Sequence, residues 1–238
     1  MKSLKMETIP KTQAGYPDAA SQKTRIALLI LTFLLAAASC VKAPDFAYDG
    51  GALWLQHLGT FVLALPLLAD LKLRRLSLPV CIGLFLFTCL HILGARYLYS
   101  NVPYDRWAER FLNWHVELDK IHGNKFDRLV HFAFGLLMLP LFFQIARRWF
   151  GIGNFFHALF FAWLFVQSFS LLYEVFEWVL SELMSPEDAE GYNGQQGDMW
   201  DAQKDMFLAL LGSTVTAAFL TLRRFAARKA PPTTGRDA

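Results

Sequence analysis

The chain has 238 residues, 55% of them hydrophobic and only 18% charged, with a net charge of +3. So apolar a composition points to a membrane protein and away from an ordinary soluble domain, which carries more charge. No basic stretch is interleaved with aromatics, so the expected partner is the lipid bilayer and not nucleic acid.

Residues 1–25 carry Lys2, Lys5, Lys11, Lys23 and Arg25, interrupted by Pro10, Gly15 and Pro17, and read as a disordered cytoplasmic tail. The first apolar run is 26–41. Its end, Ala36-Ala37-Ala38-Ser39-Cys40, reads either as the close of an uncleaved span or as a signal-peptide or lipoprotein cleavage site. Cleavage there would leave the topology of the rest unchanged. Further runs at about 52–69, 76–98, 129–146, 155–180 and 206–222 bring the total to six, each of a length that crosses a bilayer as a helix. The predicted fold is all-α: a polytopic membrane protein built as a six-helix transmembrane bundle. Pro66 and Pro79 fall near span ends, and Pro140 falls inside the fourth span, where a kink is tolerated.

Between the third and fourth spans, a connection at about 99–128 holds Trp107, Trp114 and alternating charges. Asp105 to Leu118 fits an amphipathic helix lying on the membrane interface, or an ordinary solvated helix of a folded loop. The 181–203 connection is acidic, and 223–238 reads as a second disordered cytoplasmic tail. Cys40, Cys81 and Cys89 sit in apolar stretches without CxxC spacing and read as small buried hydrophobes. With the N-terminus inside, 15 of the 23 Lys and Arg residues fall in cytoplasmic segments, so both termini are expected in the cytoplasm.

On this topology the polar residues gather at one level. His91 lies near the outer end of the third span. Asp127 and His131 are spaced i, i+4 at the start of the fourth, and Glu174 and Glu177 are spaced i, i+3 toward the end of the fifth. Asp198, Asp201 and Asp205, at i, i+3, i+7, are expected on one face of the helix that becomes the sixth span, with Asp198 also suited to cap it. Six carboxylates and two imidazoles in one layer require that protons be shared or that a cation sit among them. A divalent ion (Mg²⁺, Mn²⁺ or Zn²⁺) would find oxygen and imidazole ligands in Glu174, Asp198, Asp201, Asp205 and His91. Asp127 and His131, with Glu177, form a candidate acid/base set. Alternatively Arg96, Arg128 and Lys204 neutralise the acids in a structural network. Gln167 is expected to make a helix–helix hydrogen bond, and Gly135 and Gly212 to allow close helix packing.

Several blocks resemble a known family. They are His91-Ile-Leu-Gly94-Ala-Arg-Tyr97-Leu-Tyr99, Phe126-Asp127-Arg128-Leu-Val-His131-Phe132, Tyr173-Glu174-Val-Phe-Glu177-Trp178, and Gly197-Asp198-Met-Trp200-Asp201-Ala-Gln203-Lys-Asp205-Met206. Together they look like the YjdF-type proteins of the bacterial inner membrane, over about residues 26–222. A looser similarity joins them to the VanZ-like group, where glutamine is usual at Glu177 and lysine at Arg128. The resemblance implies the fold and an inner-membrane location, and no reaction. Three functions remain open on sequence: a metal-assisted enzyme acting on a lipid or lipid-linked head group, a proton-linked carrier, and a structural or accessory protein whose charges staple its helices.

Overall fold

The computed structural model describes residues 16, 18–47, 52–113, 124–185, 189, 192 and 197–229. Among them are seven α-helices and no strand. The helices are α1 (Gln22–Cys40), α2 (Ala52–Leu73), α3 (Leu78–Arg96), α4 (Tyr104–Leu112), α5 (Phe126–Gln144), α6 (Phe155–Leu183) and α7 (Asp201–Lys229). All but α4 are long and apolar enough to cross a membrane. The six-span bundle expected from hydropathy is the observed architecture, with helix ends that local chemistry moves by a few residues.

Caps explain those ends. Ser21 starts α1 by accepting the Thr24 amide N–H at 3.1 Å, one turn earlier than the apolar run begins. Residues 22–25, expected in the tail, are therefore helical. Residues 1–15 and 17 of the first expected tail lie outside the described residues, as do 230–238 of the second. Asn154 starts α6, its Oδ1 accepting the Phe156 and His157 amides at 2.9 and 3.1 Å. Pro140 lies within α5, which ends in one π-helical turn at Ile145–Trp149. Of the Asp105–Leu118 helix, α4 covers the part up to Leu112. Asn113 stops it in the left-handed region at φ 50°, and residues 114–123 lie outside the described residues.

Helices α1, α2 and α3 pack on one another, α5, α6 and α7 do the same, and α3 against α5 joins the two groups. Buried Leu67, Cys81, Leu84, Phe87 and Met138 fill the first group and its seam with α5. Leu139, Ala162, Val166 and Ala209 fill the second. The outward faces are apolar too: Trp54, Phe61, Leu65, Phe160, Leu172 and Phe219 are all exposed. Helices apolar all round suit lipid, which solvates those faces where water would not.

The two ends of the bundle differ in charge. At the end holding Lys72, Arg75, Arg148 and Arg223, one acid among the described residues is buried, Asp70, and Arg25 holds it at 2.6 Å with both side chains sealed from solvent. Arg25 also donates to the Ala20 and Leu76 carbonyls, while Asp70 accepts the Arg75 and Leu76 amides. Arg25, expected in the disordered tail, thus ties α1, α2 and the α2–α3 turn together. The opposite, acidic end carries the layer of carboxylates.

Candidate functional site

Three helix ends build the acidic layer. The Asn124 side chain accepts the Phe126 amide at 2.9 Å and so fixes where α5 begins. That places Asp127 in its first turn, where a carboxylate suits the positive end of the helix dipole, and His131 one turn further in. His131 Nε2 stands 3.7 Å from Asp127 Oδ1 and 3.5 Å from Glu174 Oε1 of α6. Asp205 enters from α7, and one ligand atom each from Asp127, His131 and Asp205 lie within 4.8 Å of one another. His131, Glu174 and Asp205 are buried. One oxygen of Glu174 and one of Asp205 are sealed from solvent without a hydrogen bond.

The approach of α5 to α7 below this cluster depends on two glycines. A Cβ on Gly135 would run into the Ala209 carbonyl oxygen, and one on Gly212 into the Phe132 carbonyl oxygen. Their absence lets the backbones touch one turn below His131 and Asp205, which brings those side chains together. Gln167 makes the expected interhelical bond beside this crossing, to Ser213 Oγ at 3.0 Å.

The remaining predicted residues divide. Asp198 precedes α7 instead of sharing its stripe, because its carbonyl and Oδ1 already cap the turn by accepting the Asp201 and Trp200 amides, each at 3.1 Å. The i, i+3, i+7 face therefore reduces to Asp201 and Asp205. Lys204 reaches Asp198 at 2.5 Å, and Arg128 pairs with both Asp198 and Asp201. The Lys204 ammonium, the Trp200 amide and the Arg128 guanidinium hold the Asp198 carboxyl well below the usual range. Arg96, expected to help neutralise the acids, instead donates to the Ser39, Val41 and Lys42 carbonyls at the end of α1. Glu177 is half-buried and bonded to the Tyr173 phenol.

His91 stands on another wall and spends both ring nitrogens on protein groups. Nε2 faces the Gln56 carbonyl at 3.2 Å and Nδ1 the Tyr99 hydroxyl at 2.5 Å. Burial pushes the Tyr99 phenol well above its ordinary value, with Asp127 adding to the effect, so the hydroxyl keeps its proton. The neighbouring His57, one residue from Gln56, turns away to Ser39 Oγ and Thr60 Oγ1 at 3.0 and 3.1 Å.

Between these walls lies a cavity of about 390 Å³ bounded by α2, α3, α5 and α6. Its lining is mostly apolar (Leu58, Val62, Phe87, Phe134, Phe169 and Leu172 among others), and its polar members include Gln56, His91, Tyr99, Asp127, His131 and Tyr173. From sequence, Tyr99 and Tyr173 entered only as parts of the family-like blocks, with no site role, and Tyr192 and Ser170, which also line the space, were passed over. The available signal was the grouping of tyrosines with acids at one membrane level, where a hydroxyl needs a partner.

Residues 24–225 match the family described as "Predicted membrane protein (DUF2238)". The chain is also similar to the Inner membrane protein YjdF of Escherichia coli (strain K12), 30% identical over 179 residues that cover 72% of this chain and 82% of that protein. No solved structure matches. Six spans, the acidic layer and these likenesses together place the chain in the DUF2238, YjdF-type family of membrane proteins.

Proposed function

We propose that this chain is a metal-assisted enzyme of the bacterial inner membrane, acting on the head group of a lipid or lipid-linked molecule whose apolar part enters the cavity. Asp127, His131 and Asp205 hold a divalent cation, with Glu174 as a fourth donor. The observation that carries this reading is the spacing around His131 Nε2, with carboxylate oxygens at 3.5 and 3.7 Å and no hydrogen bond closing either gap. Ligand atoms on a tetrahedral cation with bonds of about 2.1 Å stand about 3.4 Å apart. A mixed imidazole and carboxylate set favours Zn²⁺ or Mn²⁺ over Mg²⁺. Such an ion would polarise a head-group oxygen or a bound water, and Glu177, three residues along α6 from Glu174, would serve to move a proton. Asp198 and Asp201 serve a different purpose in this reading. Their pairing with Arg128 and Lys204 favours a staple that fixes the start of α7, which is the structural role left open by the sequence. The looser resemblance to the VanZ-like group is carried by the Asp-basic-x-x-His pattern at Asp127–His131, the later acidic pair Glu174 and Glu177, and the aspartate opening the final helix, and it adds no reaction.

The test is the metal content of protein purified without added metal. Near-stoichiometric Zn²⁺ or Mn²⁺ is expected, lost in Asp205→Ala and His131→Ala and kept in Arg128→Ala. A wild-type protein that takes up no divalent ion, even on titration with Zn²⁺ and Mn²⁺, ends this reading. Reporter fusions at the two termini are expected to place both in the cytoplasm.

A further inference from the structure

We propose that the wall formed by Gln56, His91 and Tyr99 is a subsite for a hydroxyl group, and that the cavity's occupant is a single-chain amphiphile bearing a free alcohol. The proposal deepens the head-group reading above and rests on it for the orientation of that molecule.

Three observations point here. The first is the direction of the hydrogen bonds. A backbone carbonyl only accepts, so His91 Nε2 carries the proton toward Gln56, and Nδ1 of the neutral ring accepts from the Tyr99 hydroxyl. The Tyr99 oxygen then presents lone pairs alone to the cavity, and its complement is a donor. The second is an unmatched donor on the same wall: Gln56 is 2% exposed, its Nε2 is buried without a hydrogen-bond partner, and the residue lines the cavity. An alcohol satisfies both atoms at once, donating to Tyr99 and accepting from Gln56.

The third observation is how much of the chain is arranged to hold this pair. A Cβ on Gly59 would stand 2.7 Å from His91 Cε1, and one on Gly94 would stand 2.7 Å from Tyr99 Cε1. Leu98 and Tyr99 adopt φ of 46° and 52°, two successive left-handed residues without glycine, and this turns the Tyr99 ring back under α3. A tyrosine serving only as packing would not require a strained turn, a glycine that makes room for its ring and a second that makes room for its histidine partner.

Volume and lining select the rest of the molecule. A space of about 390 Å³ is near the lower end of ligand pockets, which run roughly 300–1,000 Å³, so it suits one chain and not the two tails of a phospholipid. Its apolar walls take that chain, while Asp127 and His131 on the α5 side take the end that meets the cation.

The experiment uses the full chain in phosphatidylcholine nanodiscs. The probe is 1-dodecanol carrying a diazirine near its methyl end, compared with its methyl ether, which accepts a hydrogen bond but cannot donate one. Labelling of the α6 segment 169–176 is read against probe concentration. The alcohol is expected to saturate at about tenfold lower concentration than the ether. Tyr99→Phe, which keeps the ring in its cradle, brings the alcohol to the level of the ether, and Gln56→Leu weakens both. Divalent metal content in Tyr99→Phe stays at the wild-type value. Equal labelling by alcohol and ether overturns the hydroxyl subsite and leaves the cation reading standing. No saturable labelling of 169–176 by either probe overturns the amphiphile as occupant. Loss of metal from the wild-type protein would instead defeat the cation reading, whatever the labelling shows.

Discussion

Glu174 is buried within 3.5 Å of His131, yet its Oε1 makes no hydrogen bond, and one oxygen of Asp205 shares that condition. A buried acceptor without a partner costs about 1–3 kcal/mol, more if charged, so a fold selected only for stability would not keep two of them side by side. A cation bound there, as proposed, would relieve both at once. Glu174→Gln is therefore expected to have opposite effects under two conditions. In excess chelator the variant should unfold at a higher temperature than wild type, by the equivalent of about 1–3 kcal/mol. With Zn²⁺ added, wild type should gain the larger shift, because an ion that binds only the folded state stabilises it in proportion to its affinity. Parallel melting curves with and without metal check this; a variant less stable in chelator would mean that Glu174 is already satisfied within the protein.

At the scale of the element, α7 is positioned by its first turn and by its crossing with α5. Asp198 caps that turn and gathers Lys204 and Arg128, and its carboxyl is held below the ordinary range in the folded chain. The folded state thus holds fewer protons at Asp198 than the unfolded one does. The stabilisation is present above the unfolded aspartate value of about 3.9 and is lost as pH falls from there through the folded value. Lowering pH from 6 to 3 should reduce the melting temperature of wild type more than that of Asp198→Asn, since the variant lacks the group that titrates. The crossing gives a second prediction. Gly135→Val must push α5 away from α7 at the Ala209 carbonyl, whereas Gly153→Ala meets nothing within 4 Å. The first should cost about 1–3 kcal/mol and lower metal occupancy by parting His131 from Asp205, and the second should do neither. Denaturation and metal analysis of the two variants decide it.

Across the whole molecule, two three-helix groups meet along α3 and α5, with a sealed ion pair near one end and the cavity near the other. Arg25 and Asp70 join the start of α1 to the end of α2 and to the α2–α3 turn, so the pair sets how the first group closes. Asp70→Ala leaves the Arg25 guanidinium buried and uncompensated, and should destabilise the bundle by about 3–5 kcal/mol. Removing both charges in Arg25→Met with Asp70→Leu should restore most of that. Unfolding of the single and double variants in one detergent tests the coupling, which is lost if the two substitutions simply add.

Hydropathy alone determined the number of spans, their approximate positions and the fold class, because twenty or so apolar residues in a bilayer have few structures open to them besides a helix. The sequence also marked Asp127, His131, Glu174 and Asp205 as belonging to one level, since helical rise converts residue number into depth. It could not say which of the eight polar residues at that level face one another. Rotation about each helix axis is set by partners far along the chain, such as Gly135 against Ala209, and not by local pattern. That rotation sends Asp198 and Asp201 to Arg128, His91 to Tyr99, and leaves three helices to enclose His131. Asp70 went unnoticed for the same reason: an aspartate at a helix end reads as solvated until a distant arginine is seen to cover it. The cavity is likewise a property of tertiary structure alone, being the space left where four helices, each apolar on every side, fail to close.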